Sequence, residues 1–201
     1  MRVLITGVTG QDGSYLAEHL VDSGDEVWGM VRNPGQMGWA ERLVWYRQIH
    51  LACGDLLSQE PLEEVIKIVQ PDEVYNLAAV TAPGAGWGAP QPPLLAATTG
   101  LGVLNLCEAI RLRAPEATLV HASSSAIQEP HPYGLYGVAK QFAHNTVVGN
   151  RDGYKLRAYN AVLYSHTSPR QSKRFLARRI TAAVADVAAG RAHQVVLGNL
   201  D

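Results

Sequence analysis

The chain has 201 residues, 47% of them hydrophobic, and 17 basic against 18 acidic side chains give a formal net charge of −1. That size and apolar content suit one globular domain with a full core. The near-zero charge argues against nucleic acid or a polyanionic surface as a partner. The two cysteines, Cys53 and Cys107, have neither metal-ligand nor disulfide-framework spacing, so no metal is expected and both are expected to be small buried residues. The N-terminus enters a strand without a basic, apolar leader, and no apolar run reaches the roughly 18 residues of a membrane span. A cytoplasmic protein with no membrane partner is expected.

The first predicted strand, Arg2 to Thr6, carries the apolar run Val3, Leu4, Ile5. It runs into the turn Thr6-Gly7-Val8-Thr9-Gly10-Gln11-Asp12-Gly13-Ser14 and then a helix over Asp12 to Ser23. A buried strand, three glycines three apart and a helix is the arrangement that places a dinucleotide pyrophosphate on a helix N-terminus. The helix offers unpaired N–H groups and a partial positive charge to the anion. A glycine triplet alone also fits a plain βα turn; its place between strand and helix favours the cofactor. Gly7, Thr9, Gly10, Gln11, Asp12 and Gly13 are the expected cofactor contacts of this turn.

Ser23-Gly24-Asp25 ends the helix, and a second strand follows over Glu26 to Val31. An acidic residue at the end of that strand would bind the ribose hydroxyls of NAD. Arg32 stands there instead and suits a 2′-phosphate, so NADP is expected over NAD. Asn33 to Arg47 reads as a loop, with a turn of helix near Glu41 to Tyr46. A third strand is predicted over Ile49 to Cys53, and a helix over Ser58 to Val69, with Ser58 as its N-cap and Leu62, Val65, Ile66 and Val69 as its core face. A fourth strand, Glu73 to Leu77, ends in Asn76-Leu77-Ala78-Ala79, whose small residues let a cofactor lie against the backbone.

Thr81 to Pro93 reads as a ligand-side loop. A helix follows over Leu94 to Arg113, in which Gly100 and Gly102 signal close packing. A strand is predicted over Thr118 to Ala122, then Ser123, Ser124 and Ser125, a helix over Leu135 to Asn150, a turn at Asp152-Gly153 and a strand over Leu156 to Tyr164. A basic helix from Ser172 to Ala189 leads to a last strand, Gln194 to Leu197. The strand–helix alternation predicts an α/β fold with one doubly wound parallel sheet, a Rossmann fold.

Tyr136 and Lys140 stand one turn apart on one helix face. A nearby cation stabilises phenolate, lowers the tyrosine pKa and suits it to move a proton at a sugar hydroxyl or ketone. One of Ser123, Ser124 and Ser125 is expected to hydrogen-bond the same oxygen.

These motifs resemble the extended short-chain dehydrogenase/reductases, and most closely the GDP-mannose 4,6-dehydratases. The likeness runs through Thr6 to Leu16 (TGVTGQDGSYL), Gly54-Asp55-Leu56, Asn76 to Ala79, Tyr136 to Lys140, Ser168-Pro169-Arg170 and Leu197 to Asp201. The resemblance implies that Gly7, Gly10 and Gly13 hold the NADP pyrophosphate and that Arg32 meets the 2′-phosphate. Asp55 and Leu56 border the adenine, and Asn76, Ala78 and Ala79 line the cofactor. Ser124, Tyr136 and Lys140 form the catalytic group, with the last two also touching cofactor. Substrate-side candidates are Thr81, Ser125, Ser165, Arg170, Lys173 and Arg174. The basic residues from Arg170 to Arg179 suit a sugar-nucleotide diphosphate or, for Arg178 and Arg179, simply a solvated helix face.

The resemblance further implies a nucleotide-sugar substrate, most naturally a GDP-hexose, and a homodimer formed by the helices around Leu94 to Arg113 and Leu135 to Asn150. The family reaction oxidises sugar C4, uses a glutamate to remove the C5 proton, expels water from C6 and returns the hydride there. The family's Thr-Ser-Glu reads Ser124-Ser125-Ala126 here, and its Asn-His-Glu-Ser-Pro-Arg begins at Ser165. A methyl group performs no acid–base step, a contribution of roughly 10²–10⁴-fold. Glu129 and His131 are the nearest substitutes. A C4 reductase or epimerase, or a catalytically inactive NADP-binding module, are the alternatives. The expected layout is a single NADP-binding domain over 1–201, with 166–201 as the start of a substrate region that the family extends further.

Overall fold

The first apolar run of the chain becomes the middle of the sheet. β1 (Arg2–Thr6) pairs in parallel with β2 (Glu26–Val31) on one side and β4 (Glu73–Asn76) on the other. β3 (His50–Cys53) extends the first side, and β5 (Thr118–Ser124) and β6 (Ala158–Leu163) extend the second. The computed structural model describes residues 1–34, 48–80, 91–128 and 134–195. Its six parallel strands run in the order β3-β2-β1-β4-β5-β6, the doubly wound order expected from the alternation of elements.

Both faces of β1 are covered, which is why its apolar residues are consecutive rather than alternating. Val3 and Ile5 turn to one face, where they meet Ala17 and Leu20 of α1 (Gln11–Asp22). Leu4 turns to the other, towards Leu62 and Ile66 of α2 (Gln59–Val69) and Leu106 and Ile110 of α4 (Gly102–Arg113). All seven of Val3, Leu4, Ile5, Leu62, Ile66, Leu106 and Ile110 are fully buried. Each is worth about 1.5–3 kcal/mol relative to an exposed position.

Most of the predicted elements hold, with shifts that have local causes. Ser58 occupies the N-cap position of α2, but its hydroxyl makes no capping bond; the helix is held by its apolar face. The helix predicted from Leu94 starts earlier, with Pro92 and Pro93 in the first turn of α3 (Pro92–Ala96). It continues through a π turn (Ala97–Leu101) into α4. Gly102 is the tight point: a Cβ there would come within 2.8 Å of Leu56 Cβ, whereas at Gly100 the nearest atom is an ordinary 3.4 Å away. By length and composition Pro92–Arg113 is apolar enough to cross a membrane, which corrects the expectation of no such run; half of it is buried inside the protein.

β5 continues to Ser124 because Ser123 and Ser124 still pair with Val162 and Leu163 of β6. α5 (Gly134–Tyr154) runs past Asn150 and absorbs the predicted turn at Asp152-Gly153. The chain reverses at Lys155 instead, which takes the left-handed conformation (φ 61°). Cys107 is buried, and burial pushes its thiol up to about 12. Cys53 is exposed at the end of β3, with its thiol donating to the Arg32 carbonyl at 3.2 Å, contrary to the buried position expected of it. An edge strand covers one flank of a residue only, and Cys53 is its last position.

The chain divides into two compact units, Met1–Tyr164 and Ser165–Asp201. Within the second, α6 (Leu176–Ala188) starts at Leu176 rather than Ser172, after a turn in which the Phe175 amide bonds the Ser172 carbonyl. Gln194 and Val195 are not in a strand; the remainder of the predicted last strand, and the loop helix near Glu41 to Tyr46, lie outside the described residues.

Candidate active site

The strand order reverses between β1 and β4, and a cleft of about 740 Å³ opens at the carboxyl ends of the strands there. Such a reversal is where open α/β sheets take ligands. Gly7, Thr9 and Gly10 line it from the first turn, Arg32 and Asn33 from the end of β2, Asp55 and Leu56 from beyond β3, and Ala78, Ala79 and Val80 from beyond β4. Eight of the residues expected to meet a cofactor are therefore brought together: Gly7, Thr9, Gly10, Arg32, Asp55, Leu56, Ala78 and Ala79. Thr98, in the π turn, is a wall residue that no local motif signals.

The turn is a cradle that side chains would fill. Gly7 is left-handed (φ 72°), and a Cβ on it would sit 2.7 Å from the Ala78 nitrogen. The Gly10 amide closes the turn onto the Gly7 carbonyl at 2.9 Å, and Gly10 is the N-cap of α1. Gly13 does not face the cleft. It is buried against the back of the turn, where a Cβ would collide with the Gly7 carbonyl oxygen and approach Val8 Cα to 2.8 Å. Gln11 and Asp12 lie in the first turn of α1, where the Gln11 amide donates to Asp12 Oδ1 at 3.2 Å. Neither these three nor Asn76 is a wall residue of the cleft.

Asn76 is wholly buried beneath the cleft. Thr6 Oγ1 donates to its Oδ1 at 2.6 Å, and its Nδ2 meets His121 Nδ1 at 3.1 Å. Asn76 reaches the cleft only through Thr6, whose hydroxyl accepts the Ala78 amide at 3.2 Å. The expected direct contact from Asn76 to a cofactor is thus replaced by support from below. A carboxamide at the last position of a central strand finds partners on both neighbouring strands.

Ser124, Tyr136 and Lys140 come together at the adjoining edge. Ser124 ends β5 beside Tyr136, whose pKa its hydroxyl acts to lower, and its Oγ accepts the Ala126 amide at 3.1 Å. Ser123 is committed elsewhere, to His144 Nδ1 at 2.9 Å. Lys140 is 4% exposed, donates to the Ala122 carbonyl at 2.6 Å, and holds its ammonium 5.8 Å from the Tyr136 ring centre. Burial lowers the Lys140 pKa to about 8. Burial also raises the Tyr136 pKa, and the Ser124 hydrogen bond opposes it only partly. This is opposite to the lowering expected from the Tyr–Lys spacing, because desolvation of the phenol dominates. Tyr136 and the cleft residue Val80 pack on the same small cluster, Leu95 with Ala139.

Ser125 opens the short 3₁₀ turn Ser125–Ile127, which also carries Ala126. Thr81, Glu129 and His131 lie outside the described residues. Ser165, Arg170, Lys173 and Arg174 belong to the second unit, where Ser165, Lys173 and Arg174 are exposed and Arg170 is half-buried with its amide on Ser168 Oγ at 3.2 Å.

The chain is 37% identical to a GDP-mannose 4,6-dehydratase of Vibrio cholerae, a match covering 100% of this chain and 59% of the relative. It is 36% identical to a human GDP-mannose 4,6 dehydratase over 98% of this chain and 59% of that protein. The chain thus spans 59% of the length of these relatives. Among solved structures, the UDP-glucose 4-epimerase of Thermus thermophilus in complex with NAD superposes with a TM-score of 0.79 at 25% identity, over 94% of this chain and 63% of that one. A family model for GDP-mannose 4,6 dehydratase matches residues 4–201, and the chain belongs to that family.

Proposed function

We propose that the protein is an NADP-dependent nucleotide-sugar dehydratase that acts on GDP-mannose. The observation that carries this reading is the Ser124–Tyr136–Lys140 group beside a cleft walled by Gly7, Gly10, Arg32 and Ala78. The cleft fits the cofactor: Gly7 and Gly10 leave the backbone open to a pyrophosphate at the N-terminus of α1, and Ala78 and Ala79 leave room along β4. Arg32 stands where the ribose would end and favours a 2′-phosphate, supported by the absence of a carboxylate at that position. When bound, the nucleotide supplies the hydride acceptor and donor for sugar C4 and C6.

The chain's own residues handle the C4 hydroxyl proton. Ser124 holds the C4 oxygen beside Tyr136, which takes the hydroxyl proton once it is ionised against its raised pKa. Lys140, still largely ammonium at neutral pH, stabilises that phenolate. Arg170, Lys173 and Arg174 are the proposed diphosphate ligands. The exposed apolar residues Leu104 on α4 and Val138 and Phe142 on α5 support a homodimer through these helices.

Incubation with GDP-mannose and NADP, followed by analysis for the 4-keto-6-deoxy product, tests the reading. Ala126 favours a second one, a reductase or epimerase acting at C4 without elimination, since no carboxylate stands at that position. Absence of the deoxy product, together with reduction of a supplied 4-keto sugar nucleotide, selects it.

A further inference from the structure

A line of buried polar groups beneath the cleft has a definite hydrogen arrangement. The Ala78 amide donates to Thr6 Oγ1, so the Thr6 hydroxyl keeps its hydrogen for a second partner. That partner is 2.6 Å away on Asn76, a distance typical of O–H···O and short for N–H···O. Reversing the carboxamide would leave the hydroxyl hydrogen unused on a residue with no exposed surface. Asn76 Oδ1 therefore faces Thr6, and Nδ2 faces His121 Nδ1 at 3.1 Å. Nδ2 carries only hydrogens, so Nδ1 is the bare acceptor and the imidazole proton sits on Nε2.

The far side of the ring agrees. His121 pairs in register with Asn160 on β6, so both face the same side of the sheet. His121 Nε2 and Asn160 Oδ1 are both buried with no hydrogen-bond partner among the described residues, one a donor and the other an acceptor. Asn160 Nδ2 is already committed to the His144 carbonyl at 3.1 Å, which fixes Oδ1 as the remaining atom.

We propose that His121 is a positioning residue of the cleft: neutral and protonated on Nε2, it holds Asn76 so that Thr6 fixes the Ala78 amide at the cleft wall. Its functional readout rests on the cofactor reading of the cleft. Burial, with Lys140 and then His144 adding positive charge, pushes its pKa down to about 3, consistent with a neutral ring. A glutamine at 121 offers the same pair of atoms, an acceptor for Asn76 and a donor beyond it; leucine offers neither.

The test is nitrogen NMR of histidine-labelled protein at pH 7, together with His121→Gln and His121→Leu. The expected spectrum has unprotonated Nδ1 and protonated Nε2 at His121. NADP affinity is expected to fall about tenfold in His121→Leu and to stay within about threefold in His121→Gln, with Ala78 amide exchange accelerated in the leucine variant alone. A ring protonated on Nδ1 or on both nitrogens overturns the proposal. So does a folded leucine variant with native affinity and native Ala78 protection, or a folded glutamine variant as impaired as leucine. If leucine does not fold, the tautomer and the glutamine variant decide. If the wild type binds no NADP, the cofactor reading fails, and the tautomer with Ala78 exchange still decides this one.

Discussion

Lys140 and Tyr136 stand one turn apart on α5 with the ammonium 5.8 Å from the phenol ring centre, and burial shifts the proton affinity of both. The phenol is harder to ionise and the ammonium easier to discharge. Tyr136→Phe is expected to lower turnover by roughly 10²–10⁴-fold while leaving NADP affinity nearly unchanged. Steady-state kinetics beside a binding titration checks it.

The same burial makes Lys140 a source of alkaline stability change. Its folded pKa of about 8 lies below the ordinary lysine value of 10.5, so between those values the unfolded chain binds more protons. Stability from this group therefore rises with pH across that window. The buried Cys107 thiol, at about 12 against 9.0, works in the opposite direction above pH 9. Denaturant midpoints of wild type and Lys140→Met, compared from pH 8 to 10.5, are expected to show the rising contribution in the wild type only.

Arg32 sets cofactor choice under the proposed function. Arg32→Ala is expected to weaken NADP binding about tenfold or more, about 1.4 kcal/mol, with little change for NAD. Parallel titrations with the two nucleotides measure the ratio directly.

Gly13 is a packing position rather than a ligand position. A Cβ there collides with the Gly7 carbonyl oxygen, and the Gly7-Val8 backbone cannot swing away as a side-chain tip would. Gly13→Ala is expected to cost about 1–3 kcal/mol, as overpacking does. Thermal melting is expected to fall by several degrees, since about 1 kcal/mol shifts a domain of this size by roughly 2–4 °C.

The two thiols differ in reach. Cys53 is exposed and Cys107 buried, so a thiol reagent is expected to label one cysteine in the native protein and two after unfolding. Rapid labelling of both in the native state contradicts the placement of Cys107.

Much of the fold was legible because the chain announces it locally. Val3-Leu4-Ile5 can be consecutive only in a strand covered twice, and Gly7, Gly10 and Gly13 mark the turn after it. The cleft walls followed from that turn and from Arg32. Other features are set by neighbours distant in sequence. His121 acquires its role only when β4 and β5 bring it against Asn76, 45 residues away. Ser124 is distinguished from Ser123 only by His144 on α5. The sign of the Tyr136 shift depends on how deeply the ring is buried, which spacing does not encode. The end of α5 was missed because glycine in its last turn reads as a turn signal, while the reversal sits on Lys155.

The central place of β1 fixes an order of events during synthesis. Thr6 and Asn76, register partners on β1 and β4, are 70 positions apart. β1 therefore waits for one of its two neighbours until about 70 further residues have been made. Until then a strand with three consecutive apolar residues offers an open edge with unsatisfied backbone groups. Such delayed, long-range parallel pairing makes folding slow and leaves the nascent chain open to association. Slower translation ahead of Glu73 prolongs that exposure, and a chaperone that shields Val3 to Ile5 shortens it.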